Sequence, residues 1–274
     1  MTALIDAVHR TRGGWRIPDQ NLWTGEVEEH ALAFAFDPAA GALFLTYENP
    51  RPADWERGLL WLRHGQDRSG AYKWRAINTP RTRRMMNEHL CMVCSGSCRQ
   101  KKDGRTTWLF VDDPPTTPDG TPITNLPPTC PDCVPESLAT CPRLSERARL
   151  VTVAKTRPFA VTADLYEPAE GFPAPAVKVR HEIHIPYGPE TAYWLRFALG
   201  KQPWLALDDV RDQPKGRLRR QTPAPREETA VGRHEDANSP TEKEVTGKEG
   251  GTGSTNDQQQ KPQGDHADGK GKGK

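Results

Sequence analysis

Two pairs of cysteines constrain this chain more than any other feature of its sequence. Two residues separate the cysteines of each pair, which are Cys91 and Cys94 in CMVC, and Cys130 and Cys133 in CPDC. The turn between such cysteines points both sulfurs inward, so that two pairs can supply the four tetrahedral ligands that zinc prefers. The spacing therefore predicts one zinc ion bound by all four cysteines.

Other interpretations of the cysteines are open. One CxxC unit could be a redox dithiol, although a thioredoxin-type dithiol lies in a βαβ context and would leave the second unit without a role. All four could also be small buried side chains. The alternative ligands are Cys98, which follows Cys94 closely and could exchange with it, and Cys141 and His89. We expect Cys141 in the core and His89 at a helix end.

The folded part of the chain is expected to be shorter than its 274 residues, since only 35% of them are apolar and 26 are prolines. From Pro214 to Lys274, polar residues, glycine and proline dominate. Such a segment cannot bury enough surface to offset the entropy lost on ordering. We therefore predict a disordered low-complexity tail at 214–274 and a single zinc-stabilised α+β domain at 1–213, with the zinc module at about 79–145.

Alternating apolar residues predict an antiparallel sheet, with short helices around the zinc site. Helices are expected where apolar residues recur at helical spacing between capping residues, prolines and glycines. The predicted strands are His30–Phe36, Leu43–Tyr47, Thr106–Val111, Leu150–Ala154, Phe159–Leu165 and Val177–Ile185. The predicted helices are Asp54–Gly65, Thr79–His89, Val134–Leu144 and Pro189–Gly200.

The order of these parts resembles the treble-clef class of zinc folds: a turn with two ligands, then β structure, then a helix whose first turn carries two more. From about Arg81 to Leu144 the chain also resembles a group of uncharacterised actinobacterial proteins, in which a CxxC knuckle precedes PPxCxxC and CPxL stretches. Here CMVC, a strand with Trp108 and LPPTCPDCVPESLATCPRL match that pattern. The resemblance implies a zinc-organised fold and no particular reaction. Zinc knuckles commonly have glycine directly after the CxxC, where this chain has Ser95.

Basic residues surround the first cysteine pair. Between residues 73 and 105 the chain has nine Lys and Arg residues against two acidic ones. Charge clustered on a rigid metal-bound unit can neutralise several phosphates, so we predict contact with DNA or RNA. Trp74 and Trp108 could stack on unpaired bases; alternatively the arginines form a solvated face and both tryptophans lie in the core, which is expected for Trp108. The candidate nucleic-acid-binding residues are Arg81, Arg83, Arg84, Arg99, Lys101, Lys102 and Arg105.

The alternative to nucleic-acid binding is a protein-interaction scaffold or adaptor, in which zinc only holds loops together. A treble-clef metal-dependent nuclease is less favoured, because its histidine base and further metal ligands are missing in the required order. His181 and His184 point to opposite faces of a predicted strand and cannot share a metal without a bulge. Four cysteines also leave zinc no open position for water, so we predict a protein that is not an enzyme.

Targeting signals are not evident in the sequence. The N-terminus lacks the apolar stretch of a signal peptide, and no run of apolar residues is long enough to span a membrane. We therefore expect a cytoplasmic protein without membrane contact, in a reducing compartment where paired cysteines bind metal rather than form disulfides. A net charge of +2 is too near neutral to indicate a partner, and the sequence does not indicate an oligomeric state.

Overall fold

The computed structural model describes residues 9–11, 14–29, 31–171 and 174–213. Over these residues the fold is mixed, with mostly strands, few helices and a curled sheet. The tail predicted at 214–274 lies outside the described residues. The strands are β1 (Asn21–Trp23), β2 (Leu32–Asp37), β3 (Ala42–Tyr47), β4 (Trp55–Glu56), β5 (Leu59–Trp61), β6 (Tyr72–Ile77), β7 (Thr106–Phe110), β8 (Ile123–Thr124), β9 (Arg149–Pro168), β10 (Ala174–Pro186) and β11 (Ala198–Asp212). The helices are α1 (Thr79–Glu88), α2 (Val134–Thr140), α3 (Pro142–Arg147) and α4 (Ala192–Leu195).

A nine-stranded sheet forms most of the described structure. Its strands follow the order β3-β2-β10-β9-β11-β5-β4, while β7 pairs with β9 and β8 with β11. Most pairings are antiparallel, although β5 runs parallel to β11. Strands β1 and β6 form a separate two-stranded sheet.

Strand β9 links the part of the chain that carries the cysteines to the rest of the sheet. Its first residues, Arg149–Val153, pair with β7, and its last, Ala160–Pro168, pair with β10. Strand β11 runs beside both parts. Separate apolar clusters cover the two ends, one containing Trp108 and Val151 and the other containing Val161.

Several predicted elements are confirmed. Strands β2 and β3 form the expected hairpin, and α1, β7 and β10 lie where the pattern placed them. The predicted strands Leu150–Ala154 and Phe159–Leu165 are two parts of β9. Helix α1 is capped by Asn78 rather than Thr79, because the Asn78 side chain accepts a hydrogen bond from the amide of Arg81 at 3.1 Å.

The helix predicted at Asp54–Gly65 is wrong. The segment contains the hairpin of β4 and β5, and at its turn Arg57 and Gly58 have φ of 57° and 74°, as a type I′ turn requires. Residues 59–62 are all buried. A strand buried on both faces gives the same continuous apolar run as a buried helix, so the pattern alone could not separate them.

The helix predicted at Pro189–Gly200 is wrong over most of its length. Helix α4 is a single turn, and the unpredicted strand β11 begins at Ala198. Gly200 therefore lies within a strand, where a Cβ atom would lie 2.8 Å from Cδ2 of Leu59. This glycine permits close packing of β11 on β5.

The helix predicted after the second cysteine pair is interrupted. Cys141, between α2 and α3, is extended, with φ of −99° and ψ of 111°. The residue before a proline avoids the helical region, and here that proline is Pro142. The chain therefore begins a new helix at Pro142 instead of continuing α2.

Candidate metal centre

The first cysteine pair lies in a tight turn directly after α1. The helix ends at His89, whose φ of 58° turns the chain back. The amide of Cys91 donates to the carbonyl of Gly96 at 2.7 Å, and the amide of Ser95 donates to the carbonyl of Cys91 at 2.8 Å. Ser95, which stands where glycine is common, has φ of 56° and so adopts the left-handed conformation that favours glycine. The knuckle turn is therefore made without that glycine.

The second cysteine pair lies between β7 and α2. The amide of Cys133 donates to the carbonyl of Cys130 at 3.0 Å, and Cys133 is also the N-cap of α2. Just before this turn, the amide of Thr129 donates to β7. The amide of Met92, between the first two cysteines, donates to the carbonyl of Pro128 at 2.8 Å. These backbone bonds bring the two pairs together.

The sulfur atoms of Cys91, Cys94, Cys130 and Cys133 all lie within 4.8 Å of one another. The sulfurs of Cys94 and Cys130 are 3.7 Å apart. A tetrahedral metal with sulfur bonds of about 2.3 Å would separate its sulfurs by about 3.8 Å, so the observed spacing suits one ion. Cys94 is exposed, whereas the other three cysteines are buried. The four side chains can therefore hold a metal ion at the edge of the domain.

The thiols strongly perturb one another. Hydrogen bonds from Cys130, Cys133 and other neighbouring thiols hold the pKa of Cys91 far below its usual range. Hydrogen bonds to Cys130 and Cys133 lower the pKa of Cys94 to about 7. The pKa of Cys133 is raised, first by its bonds to Cys130 and Cys91. Cys91 and Cys94 thus favour the thiolate while Cys133 favours the thiol, and a bound cation would favour thiolates at all four positions.

Further groups donate hydrogen bonds to the sulfurs. The amide of Val93 lies 3.4 Å from Sγ of Cys91, and Nη1 of Arg16 lies 3.4 Å from Sγ of Cys133. The backbone amide of Arg16 also donates to Oε1 of Glu136 on α2 at 2.8 Å. Donors around metal-bound thiolates orient the ligands and stabilise their charge. Arg16 stands 117 residues from Cys133 and belongs to no motif, so the sequence carries no signal for this contact.

The three alternative ligands lie outside the group of four sulfurs. Cys98 is buried in the same apolar cluster as Cys91, Cys130 and Cys133. Cys141 is only half-buried. His89 does lie at the end of α1, where its two ring nitrogens are 2.9 Å from Oγ1 of Thr106 and 2.8 Å from Oγ1 of Thr156. Burial lowers the pKa of His89 to about 4.

Two of the candidate nucleic-acid-binding residues are engaged within the protein. The Arg81 guanidinium pairs with the fully buried carboxylate of Glu26 and donates to two backbone carbonyls. Arg105 is buried, and it contacts Asp209 at 2.7 Å and the carbonyl of Thr152 at 2.9 Å. These two side chains stabilise the fold rather than face a partner.

The remaining candidates are more accessible. Arg83 pairs with Glu56 at 3.4 Å, and exposed Arg84 pairs with Glu88 at 3.2 Å along α1. The other three lie on the turn that leads from the knuckle to β7, where they are exposed and form no ion pair with a described residue. They are Arg99, Lys101 and Lys102.

The two tryptophans near the cysteines differ in environment. Trp108 is fully buried, as expected, and its Nε1 donates to the carbonyl of Leu126 at 3.0 Å. Trp74 is 61% exposed. Of the two, only Trp74 has a ring that a partner can reach.

The side chains of the two histidines of β10 have different contacts, even though the strand has a bulge beside them. Nδ1 of His181 lies 2.8 Å from the buried carboxylate of Asp164. The His184 ring packs against Trp204 instead, with centroids 5.1 Å apart. Each histidine therefore has its own partner.

No helix in the described part of the chain is long and apolar enough to cross a membrane. Comparisons of the chain with protein-family models, with curated proteins and with solved structures find no match. The function is therefore argued from the residues themselves.

Proposed function

We propose that this protein is a non-catalytic binding protein stabilised by one structural zinc ion. The observation that supports this proposal is that four cysteine sulfurs lie within 4.8 Å of one another. Soft thiolates in a tetrahedral arrangement suit zinc, whereas magnesium and calcium prefer oxygen ligands. Four protein ligands also leave no position for water, which distinguishes a structural site from a catalytic one. Cys91, Cys94, Cys130 and Cys133 hold the ion.

The proposed site is treble-clef-like. The first cysteine pair lies in the knuckle turn, β7 follows, and the second pair immediately precedes α2. Apolar contacts among Leu109, Val134 and Leu150 hold that helix against β7 and β9. The metal would thus join two loops to one strand and one helix.

The metal assignment is tested by measuring zinc in the purified full-length chain. We expect one zinc per chain, loss of zinc in the Cys91→Ser and Cys130→Ser variants, and unchanged zinc in the Cys141→Ser control. Cys98→Ser decides whether Cys98 replaces Cys94 as a ligand, and we expect it to retain zinc because its sulfur is outside the group of four. A chain that binds no zinc contradicts the assignment.

The proposed partner is DNA or RNA. Exposed Arg99, Lys101 and Lys102 lie beside the knuckle without ion pairs among the described residues, so their charge is available to phosphates. A metal-bound turn would hold these cations in a fixed arrangement.

Partner binding is tested by titrating the full-length chain with labelled oligonucleotides at increasing salt. We expect affinity to fall steeply with salt, since cations that neutralise phosphates release counterions. The K101Q/K102Q variant should bind several-fold more weakly than wild type and show a shallower salt dependence. The matched control is K155Q/R180Q, which removes two exposed cations from β9 and β10. Equal binding by both double variants would exclude the turn from the interface.

A protein-interaction scaffold is the second candidate. Tyr193 and Trp194, at α4, are 61% and 48% exposed, and such large exposed rings are typical of protein contacts. An apolar contact of this kind is insensitive to moderate salt, so the same titration distinguishes the two functions. A nuclease has less support, because the ring nitrogens of His89 already contact two threonine hydroxyls.

A further inference from the structure

Four aromatic rings lie in series on and beside the two-stranded sheet of β1 and β6. His9 and Trp23 have ring centroids 4.7 Å apart, Trp23 and Tyr72 5.9 Å apart, and Tyr72 and Trp74 4.9 Å apart. Trp23 is buried, whereas Trp74 at the end of the series is exposed. We call these four residues the aromatic row. It ends in a ring that the rest of the described structure leaves largely uncovered.

A bulge in β6 accompanies the exposure of Trp74. Asn21 pairs with Ile77, but the next residue of β1, Leu22, pairs with Lys73. Residues 74–76 therefore have no partner in β1. Trp74 meets Tyr72 at an interplanar angle of 82°, so the two rings are not stacked face to face. With 61% of its surface exposed, Trp74 keeps room for another planar group.

Two cations adjoin Trp74 in the sequence of β6. Lys73 and Arg75 are exposed and form no ion pair with any residue that the structure describes. The acidic residues in the segments next to β1 are compensated, because Asp19 pairs with Arg68 at 2.6 Å and buried Glu26 pairs with Arg81. Asp67 is the exception, and its carboxylate accepts hydrogen bonds from Ser69. The three exposed residues 73–75 of β6 therefore combine an aromatic ring with two cations that are unpaired in the described structure.

We propose that the aromatic row binds single-stranded nucleic acid, with an unpaired base on Trp74 and neighbouring phosphates at Lys73 and Arg75. This inference rests on the proposed nucleic-acid function and specifies the strand state of the partner. An aromatic side chain stacks on any base whose face is free, whereas the bases of a duplex are already stacked on each other. A sugar or an apolar peptide could use the ring but not the two cations, so charge complementarity favours a phosphate-bearing ligand.

The knuckle supports this surface. The amide of Asp19 donates to the carbonyl of Val93 at 3.3 Å, and the amide of Gln20 donates to the carbonyl of Met92 at 3.2 Å. These bonds tie the segment before β1 to the loop between the first two cysteines. A cavity lined by Trp23, Arg68, Cys94 and Ser95 lies at the same junction. The Trp23 part of the aromatic row is thus positioned next to the proposed metal.

The test measures the affinity of the full-length chain for an unstructured oligonucleotide of about 12 nucleotides, as DNA and as RNA, and for the matching duplex. We expect single strands to bind more tightly than duplex. W74A should weaken single-strand binding by about tenfold, and W74F should retain most of it. The control W194A removes another exposed tryptophan from α4 and should bind like wild type. K73Q/R75Q should weaken binding and flatten its salt dependence.

The outcomes separate this inference from the proposed function. If the chain binds single strand and duplex equally and W74A binds like wild type, the aromatic row is not the site, although the nucleic-acid function stands. If neither form is bound even at low salt, both fail. Because Trp74 is exposed, W74A should keep the wild-type melting temperature, which shows that a loss of binding is not a loss of folding.

Discussion

Two arginines on the same helix, Arg81 and Arg84, illustrate how differently residues of one type can be used. The Arg81 side chain is 12% exposed and pairs with Glu26, whose carboxylate is fully buried. The Arg84 side chain is 68% exposed and pairs with Glu88 one helical turn away. Nothing in the local sequence separates them, because Glu26 is 55 residues from Arg81. From the sequence, both are therefore predicted to bind nucleic acid.

This difference predicts unequal effects on stability. R81A leaves the buried Glu26 carboxylate without its main partner and should lower the free energy of unfolding by about 3 kcal/mol. We expect a value near the lower end of the range for buried pairs, since Arg68 remains 3.9 Å from Glu26. R84A removes a surface pair and should cost less than about 0.5 kcal/mol. Urea denaturation of both variants measures the two costs, and similar small values would mean that the Arg81 pair does not stabilise the fold.

At the scale of elements, local patterns were sufficient where one face of an element is buried. The β2–β3 hairpin has such alternation and a turn-rich connection, and α1 has a cap and a proline in its first turn. The apolar residues 59–62 show neither helix nor strand periodicity, because neighbouring residues cover β5 on both faces. The N-terminal part of β11 was predicted as helix, because its apolar residues come soon after the short helix α4 in the sequence.

The contact between β11 and β5 gives a prediction at this scale. In Gly200→Ala the new methyl group would lie 2.8 Å from Cδ2 of Leu59 and 3.0 Å from the Trp61 ring, and both side chains are buried and cannot easily move. We expect a loss of about 1 to 3 kcal/mol in the free energy of unfolding. Gly65→Ala is the control, since its nearest atom is 3.4 Å away, and it should change stability by about 0.5 kcal/mol or less. Thermal or urea unfolding of both variants measures these losses of stability. Equal losses in the two variants would argue against tight packing at Gly200.

For the whole molecule, the metal site and the main sheet have separate sources of stability. The cysteine cluster holds the knuckle and the loop before α2, whereas Phe34, Leu45 and Leu60 belong to an apolar cluster of the larger sheet. The long strand β9 connects the two regions. Removal of the proposed metal should therefore affect the predicted zinc module first.

This arrangement predicts the result of chelation. With the metal removed, we expect faster hydrogen–deuterium exchange over residues 89–98 and 128–140, while β2 and the end of β9 that pairs with β10 stay protected. The melting temperature should also fall, and added zinc should restore it. Exchange measured by mass spectrometry with and without chelator tests this. Uniform loss of protection would show that the whole domain depends on the metal, and unchanged exchange would show that the four cysteines hold no structural ion.

The sequence alone was sufficient to identify the four cysteines that the structure brings together, because each CxxC unit is a local motif whose turn orients both sulfurs. The tertiary structure decided which cations remain accessible, since the partners of Arg81 and Arg105 lie far away along the chain. It also decided that the chain from Trp55 to Trp61 forms a hairpin, which depends on neighbours that bury both faces. For Trp74, the residue type alone suggested base stacking, whereas the exposure of its ring depends on the tertiary structure.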